Sequence, residues 1–192
     1  MAEPTWEVLD EAYAALRAAV ANVPSDSWSH STPCGDWTVA QVLHHAAGDQ
    51  LGYVMKLGKG PGPDYDPFSP STEKQDNPIT FLETALTAGA AAFADVDPAD
   101  TEVPVPLPPF VLPASRAVEA AALDAAIHAW DIAVATGQPS PLTPELAIVL
   151  RPVADELVEP LRGFAFGPAI EPDRDADAAT ALLNYLGRRV PQ

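Results

Sequence analysis

Ser31–His45 reads STPCGDWTVAQVLHH, and the change from coil to helix inside it decides how the rest of the chain is parsed. Pro33, Gly35 and Asp36 are turn residues. Thr38 and Gln41 then make a T-x-x-Q capping box, with Trp37 before the cap and Val42 at the fourth helical position, the spacing of a hydrophobic staple. A helix is predicted from Thr38 to about Lys56, with Val39, Val42, Leu43 and Ala46 on its apolar face. Gly48 and Gly52 weaken it locally.

Upstream, Leu9, Tyr13, Leu16, Val20 and Val23 recur at helical spacing, Thr5 is the expected N-cap, and Pro24 ends the helix. Downstream, residues 58–77 (GKGPGPDYDPFSPSTEKQDN) are too long and too rich in Gly, Pro and Ser for a simple connection, and are expected to border or cover a pocket. Asn77-Pro78 opens a third helix, whose stripe is Leu82, Ala85, Leu86, Gly89 and Phe93. Residues 102–113 (EVPVPLPPFVLP) alternate apolar residues with proline, which keeps them out of a central sheet and predicts an edge hairpin or an extended strap. A fourth helix covers Ser115 to Thr136 with Gly137 as its C-terminal cap, and a fifth opens at Thr143-Pro144-Glu145, with Pro152 expected to kink or divide it. A closing helix spans Ala176 to Leu186. There is no internal repeat, phosphate-binding glycine loop or G-x-S-x-G elbow. The pattern predicts an all-α protein, an antiparallel helical bundle with long crossover connections and a small hairpin, built as one domain over residues 1–192.

Composition bounds the partners. Lys and Arg number 10 against 27 Asp and Glu, a net charge of −17, so the protein's field repels nucleic-acid backbones and anionic membrane surfaces. The start MAEPTWEVLD lacks the features of a signal peptide, and Cys34 is the only cysteine, so a reducing, cytoplasmic setting is expected.

Four histidines are present. Asp124 and His128 stand four apart on the fourth helix and share a face, extended by Asp131 along the border of the apolar stripe Leu123, Ile127, Trp130 and Val134. On the second helix His45 borders the apolar face, whereas its neighbour His44 points about 100° away. His45, Asp124 and His128 together would make a two-histidine, one-carboxylate set with an open coordination position, as in catalytic zinc and non-haem iron sites. Asp49, one turn beyond His45, reads as an exposed carboxylate, and His30 as an exposed loop residue. Cys34 reads as a small residue packing the loop under Trp37. Asp131 either orients a ligand histidine or binds backbone or solvent.

Two segments carry a resemblance. Ser31–His45 and His128–Gly137 (HAWDIAVATG) resemble the two signatures of the DinB-like, mycothiol-dependent maleylpyruvate isomerase superfamily. The tail, FAFGPAI with LLNYLGRR, is similar to the closing segment of an uncharacterised single-domain branch. The resemblance implies a DinB-type four-helix bundle with extra C-terminal helices. Its metal ligands fall on His45, Asp124 and His128, although the family typically offers glutamate where this chain has Asp124.

The activity implied is that of a divalent-metal-binding, low-molecular-weight-thiol-dependent transferase or isomerase acting on a small electrophile. Zinc is the first choice of metal and nickel the second, with mycothiol as the candidate thiol. The isomerase members carry a separate C-terminal domain, for which this chain has no room. A non-catalytic binding or stress-response module with a vestigial site, and a metal-dependent hydrolase, are the alternatives. A homodimer is permitted by the apolar stripes and not required by them.

Overall fold

The computed structural model describes residues 6–190 and is mainly helical. Its elements are α1 (Glu7–Ala21), α2 (Val39–Lys56), α3 (Pro78–Ala94), β1 (Val103–Pro104), β2 (Val111–Leu112), α4 (Ala114–Ala135), α5 (Pro144–Leu161) and α6 (Ala178–Tyr185). The helix starts follow from their caps. Thr38 and Gln41 complete the capping box, Asn77 and Thr143 each cap a helix that begins with proline, and Asp177 caps α6. The expected cap Thr5 lies outside the described residues. The fourth and closing helices begin and end within two residues of the sequence expectation.

The first four helices pack as a closed ring in the order α1–α3–α2–α4. Residues 57–77 therefore join neighbours, while the α1–α2 and α3–α4 connections span the diagonals. The latter carries the β1–β2 hairpin, in which Val103 pairs with Leu112 and Pro104 with Val111. The hairpin is the strap read from residues 102–113. α5 packs on α4, and α6 on α5. Among the described residues no helix is long and apolar enough to cross a membrane.

Two departures from the sequence reading have physical causes. α5 is a single helix, not divided at Pro152. The acceptor that Pro152 leaves without its helical donor belongs to Ile148, which is exposed, so water can take the missing donor's place. The polar stripe of α4 does not run along a solvent border: α4 is flanked by α1, α2 and α5, and His128 and Asp131 are buried, with Asp124 only partly open.

Candidate metal centre

α2 and α4 face each other, and each contributes to one cluster. The Nε2 atoms of His45 and His128 lie 3.6 and 3.2 Å from the same Asp124 oxygen, Oδ1. All three donor atoms fall within 4.8 Å of one another. Two ligands at about 2.0–2.1 Å from a tetrahedral ion stand roughly 3.3 Å apart, so these separations suit one cation.

The other ring nitrogens are engaged elsewhere, which leaves both Nε2 atoms facing Asp124. Nδ1 of His45 is 2.8 Å from the Pro67 carbonyl, and Nδ1 of His128 is 3.0 Å from Asp131 Oδ2. Both neighbours only accept, so both Nδ1 atoms carry their hydrogen and donate. Each Nε2 of a neutral ring then turns a lone pair toward Asp124, which is repulsive unless a proton or a metal ion lies between. At His128 a proton takes that place when no metal is bound. Burial works against the charged His128 ring, but the Asp124 carboxylate and hydrogen bonds to Asp124, Asp131 and Cys34 outweigh it and hold its pKa well above the ordinary value. Asp124 is shifted the opposite way: burial would raise its pKa, and His128 and His45 hold it low.

Further hydrogen bonds hold Asp124 and His128 in place. Tyr13 donates to Gln50 Oε1 at 2.7 Å, and the Gln50 amide donates to the Ala121 carbonyl at 3.2 Å and to Asp124 Oδ2 at 3.3 Å. Asp131, fully buried, accepts from Arg188 Nη2 at 3.1 Å and Nε at 3.4 Å. Burial would raise the pKa of Asp131, but the Arg188 charge and His128 keep it below the ordinary carboxylate value. The orienting role is thus the one Asp131 plays. Arg188 is held where Gly187 turns at φ +79°. A Cβ there would stand 3.0–3.1 Å from backbone atoms of Gly167 and Pro168, so only glycine suits the close approach.

Cys34, His128 and Asp131 form another group with metal-ligand spacing. Arg188 Nη2, 3.4 Å from Cys34 Sγ and 3.1 Å from Asp131, already fills it with positive charge, which disfavours a dication there. Cys34 is half-buried and packs against the core, and it lines the cavity described below.

The segment 58–77 borders the site. Pro67 holds His45, Phe68 lies edge-on to the His45 ring at 5.4 Å, and Tyr65 donates to the His44 carbonyl at 2.8 Å. Gly48 makes this approach feasible, because a Cβ would stand 2.9 Å from Pro67. His44 turns away from the cluster toward Gln75, Tyr65 and Phe81. His30 is exposed, its Nδ1 3.3 Å from the Ala135 carbonyl.

The expectation for Asp49 is overturned. It is buried, because the segment 58–77 and the hairpin close over α2, and it lines the cavity. Burial, and then the Asp124 charge, push its pKa well above the usual carboxylate range.

Sequence reasoning also missed Gln50 and Arg188. Gln50 had a signal, a polar residue in the helical series Leu43, Ala46, Gln50, Val54, all buried. Nothing near Arg188 in the sequence points to Asp131.

The cluster opens on a cavity of about 810 Å³ whose apolar walls include Leu123, Ile127, Leu161 and Phe166. A site of two imidazoles, one carboxylate and an adjoining apolar cavity can bind a divalent ion and a small molecule beside it. Two curated proteins of Mycobacterium tuberculosis, both described only as uncharacterized and coming from two strains, are each 29% identical over 179 residues, covering 92% of this chain and 93% of theirs. No solved structure matches the chain. The model of the mycothiol maleylpyruvate isomerase N-terminal domain matches residues 9–133, a span that contains both helices of the cluster and all three of its donor side chains. The chain therefore belongs to the mycothiol maleylpyruvate isomerase N-terminal domain family, within the DinB-like superfamily.

Proposed function

We propose that His45, Asp124 and His128 bind one divalent metal ion, zinc in preference to nickel. The chain, acting as one domain, would use it with a low-molecular-weight thiol, mycothiol by family, to transfer the thiol to a small electrophile or to isomerise one. Such an ion with an open coordination position lowers a thiol's pKa and holds it as a nucleophile, or polarises a carbonyl. The protein's own groups supply the rest. Pro67 and Asp131 fix the two rings in the tautomer that presents Nε2, Gln50 fixes the carboxylate, and the apolar walls exclude water.

The observation that carries this reading is the convergence of both Nε2 atoms on Asp124 Oδ1 with both Nδ1 hydrogens already engaged. Elemental analysis tests it. Wild-type protein is expected to retain close to stoichiometric metal and His128→Ala to lose it, and equal metal in the two overturns the assignment. Thiol addition to an activated alkene should require both metal and thiol. Ester cleavage without thiol would assign a hydrolase instead.

A further inference from the structure

α2 carries a polar row beyond the metal cluster. Asp49 is one turn past His45 and Tyr53 one turn past Asp49, and all three line the cavity. Asp49 is 8% exposed and Tyr53 6%. Neither side chain hydrogen-bonds or ion-pairs with any described residue, yet among those residues no fully enclosed polar side-chain atom lacks a partner. Their polar atoms must therefore open onto the cavity. Asp49 lies outside the set whose atoms fall within 4.8 Å of one another, so it is not a fourth member of the donor cluster. Val105, Leu107 and Leu112 of the hairpin contribute to the wall of the same cavity, and Pro106 reaches α2 at Gly52. Two buried polar groups without a protein partner, beside apolar walls, are what a ligand with one polar atom would satisfy.

We propose that Tyr53 and Asp49 form the electrophile subsite of this cavity, Tyr53 donating a hydrogen bond to a carbonyl oxygen and Asp49 carrying the proton, for a neutral α,β-unsaturated carbonyl compound. Tyr53 keeps its hydrogen, because burial pushes its pKa well above the ordinary phenol value.

Neutrality of the substrate follows from charge. A dication over Asp124 leaves one positive charge, which a thiolate in the cavity cancels. The Arg188 charge is already matched by Asp131. An anionic electrophile would find no counter-charge.

The addition balances without oxidant or reductant. The thiol ionises and releases its proton to solvent, while Asp49, held above the usual carboxylate range, enters the step protonated. Sulfur bonds to the β-carbon, and the alkene pair moves toward the carbonyl oxygen held by Tyr53. Asp49 then gives its proton to the α-carbon and regains one from solvent, so the addition is balanced.

This inference rests on the proposed function only for the thiol, and the test separates the two. Cyclohexanone, an unreactive ketone, is titrated into zinc-loaded wild type, Tyr53→Phe and Asp49→Asn, with metal content and folding checked in each. Wild type is expected to bind it with its carbonyl stretch lowered in the infrared. Tyr53→Phe should lose that shift and bind about 2- to 12-fold more weakly, the range for one hydrogen bond. Asp49→Asn should keep metal and ketone binding but slow thiol addition to 2-cyclohexenone by roughly 10²-fold or more, with Asp49→Glu restoring part of it.

An unshifted carbonyl in wild type, or equal affinity in Tyr53→Phe, overturns the subsite. Loss of metal in Asp49→Asn, or full-rate addition by it, overturns the role of Asp49. Ketone binding that depends on Tyr53, without any thiol-dependent turnover, keeps the subsite and removes the thiol reading and the proton role of Asp49 with it.

Discussion

Replacing Arg188 by methionine isolates the contact that ties the C-terminal end to the metal cluster. Asp131 is fully enclosed and Arg188 is 6% exposed, with the guanidinium 3.1 Å from Oδ2. Methionine keeps much of the apolar stem and removes the charge. Breaking a buried pair from one side leaves an uncompensated charge and costs about 3–5 kcal/mol. Here the lower end applies, because His128 still donates to Asp131 from 3.0 Å. A loss of about 3 kcal/mol in a chain of this size corresponds to a melting temperature lower by roughly 6–12 °C. Urea unfolding of the metal-free protein at pH 7 reads the change directly, with an unaltered m-value showing that the unfolded state is the same. The double variant Arg188→Met with Asp131→Leu should recover most of the loss, since no charge is then stranded. It should still bind metal about 10–100-fold more weakly, because the His128 ring has lost its orienting acceptor. A single-variant loss under about 1 kcal/mol, the size of an exposed pair, would show that water reaches the contact and that the enclosure argument is wrong.

Two further outcomes follow from the same geometry. Asp124→Glu should not raise zinc affinity in a chelator competition despite restoring the family's usual residue, because Oδ1 already stands at the separation one ion requires and the added methylene must displace Gln50 or a histidine. The metal-free protein should be most stable near about pH 4: below it Asp124 and Asp131, whose folded pKa values are depressed, take up protons, while above it the unfolded chain ionises Asp49 before the folded one does, and above about pH 6.5 the same holds for His128, so stability falls in two steps as pH rises. Urea unfolding across pH with and without zinc checks this, and bound metal should remove the decline due to His128.

The parts of the site legible in the sequence are those set by one helix at a time. The capping box at Thr38 fixes the register of α2, so the direction of His45 relative to His44 follows by counting. The four-residue spacing of Asp124 and His128 fixes their shared face whatever surrounds α4. What was not legible depends on which elements meet. The burial of Asp49 requires the segment 58–77 and the hairpin to lie over α2, and Gly48, which reads as a helix weakness, is the room Pro67 needs. Arg188 comes from 57 residues beyond Asp131, so no local pattern links them. The expected polar border of α4 failed for the same reason: a stripe that would face solvent on a peripheral helix faces α2 and the C-terminal segment here.

The departure from glutamate at position 124 belongs with the spacing of the two helices. α2 and α4 present several buried alanines, among them Ala46, Ala47, Ala121 and Ala125. Small side chains at a helix contact let the axes approach more closely, since interaxial distance is set by the residues between them. Closeness is visible directly: the Gln50 side chain of α2 reaches the backbone carbonyl of Ala121 on α4. At that separation a carboxylate on the shorter arm of aspartate already meets both imidazoles, and a longer arm would have to fold back. The residue at 124 and the alanines around it are thus one adaptation. A wider α2–α4 contact, made by replacing Ala121 with a larger side chain, is the background in which glutamate at 124 would become the better ligand.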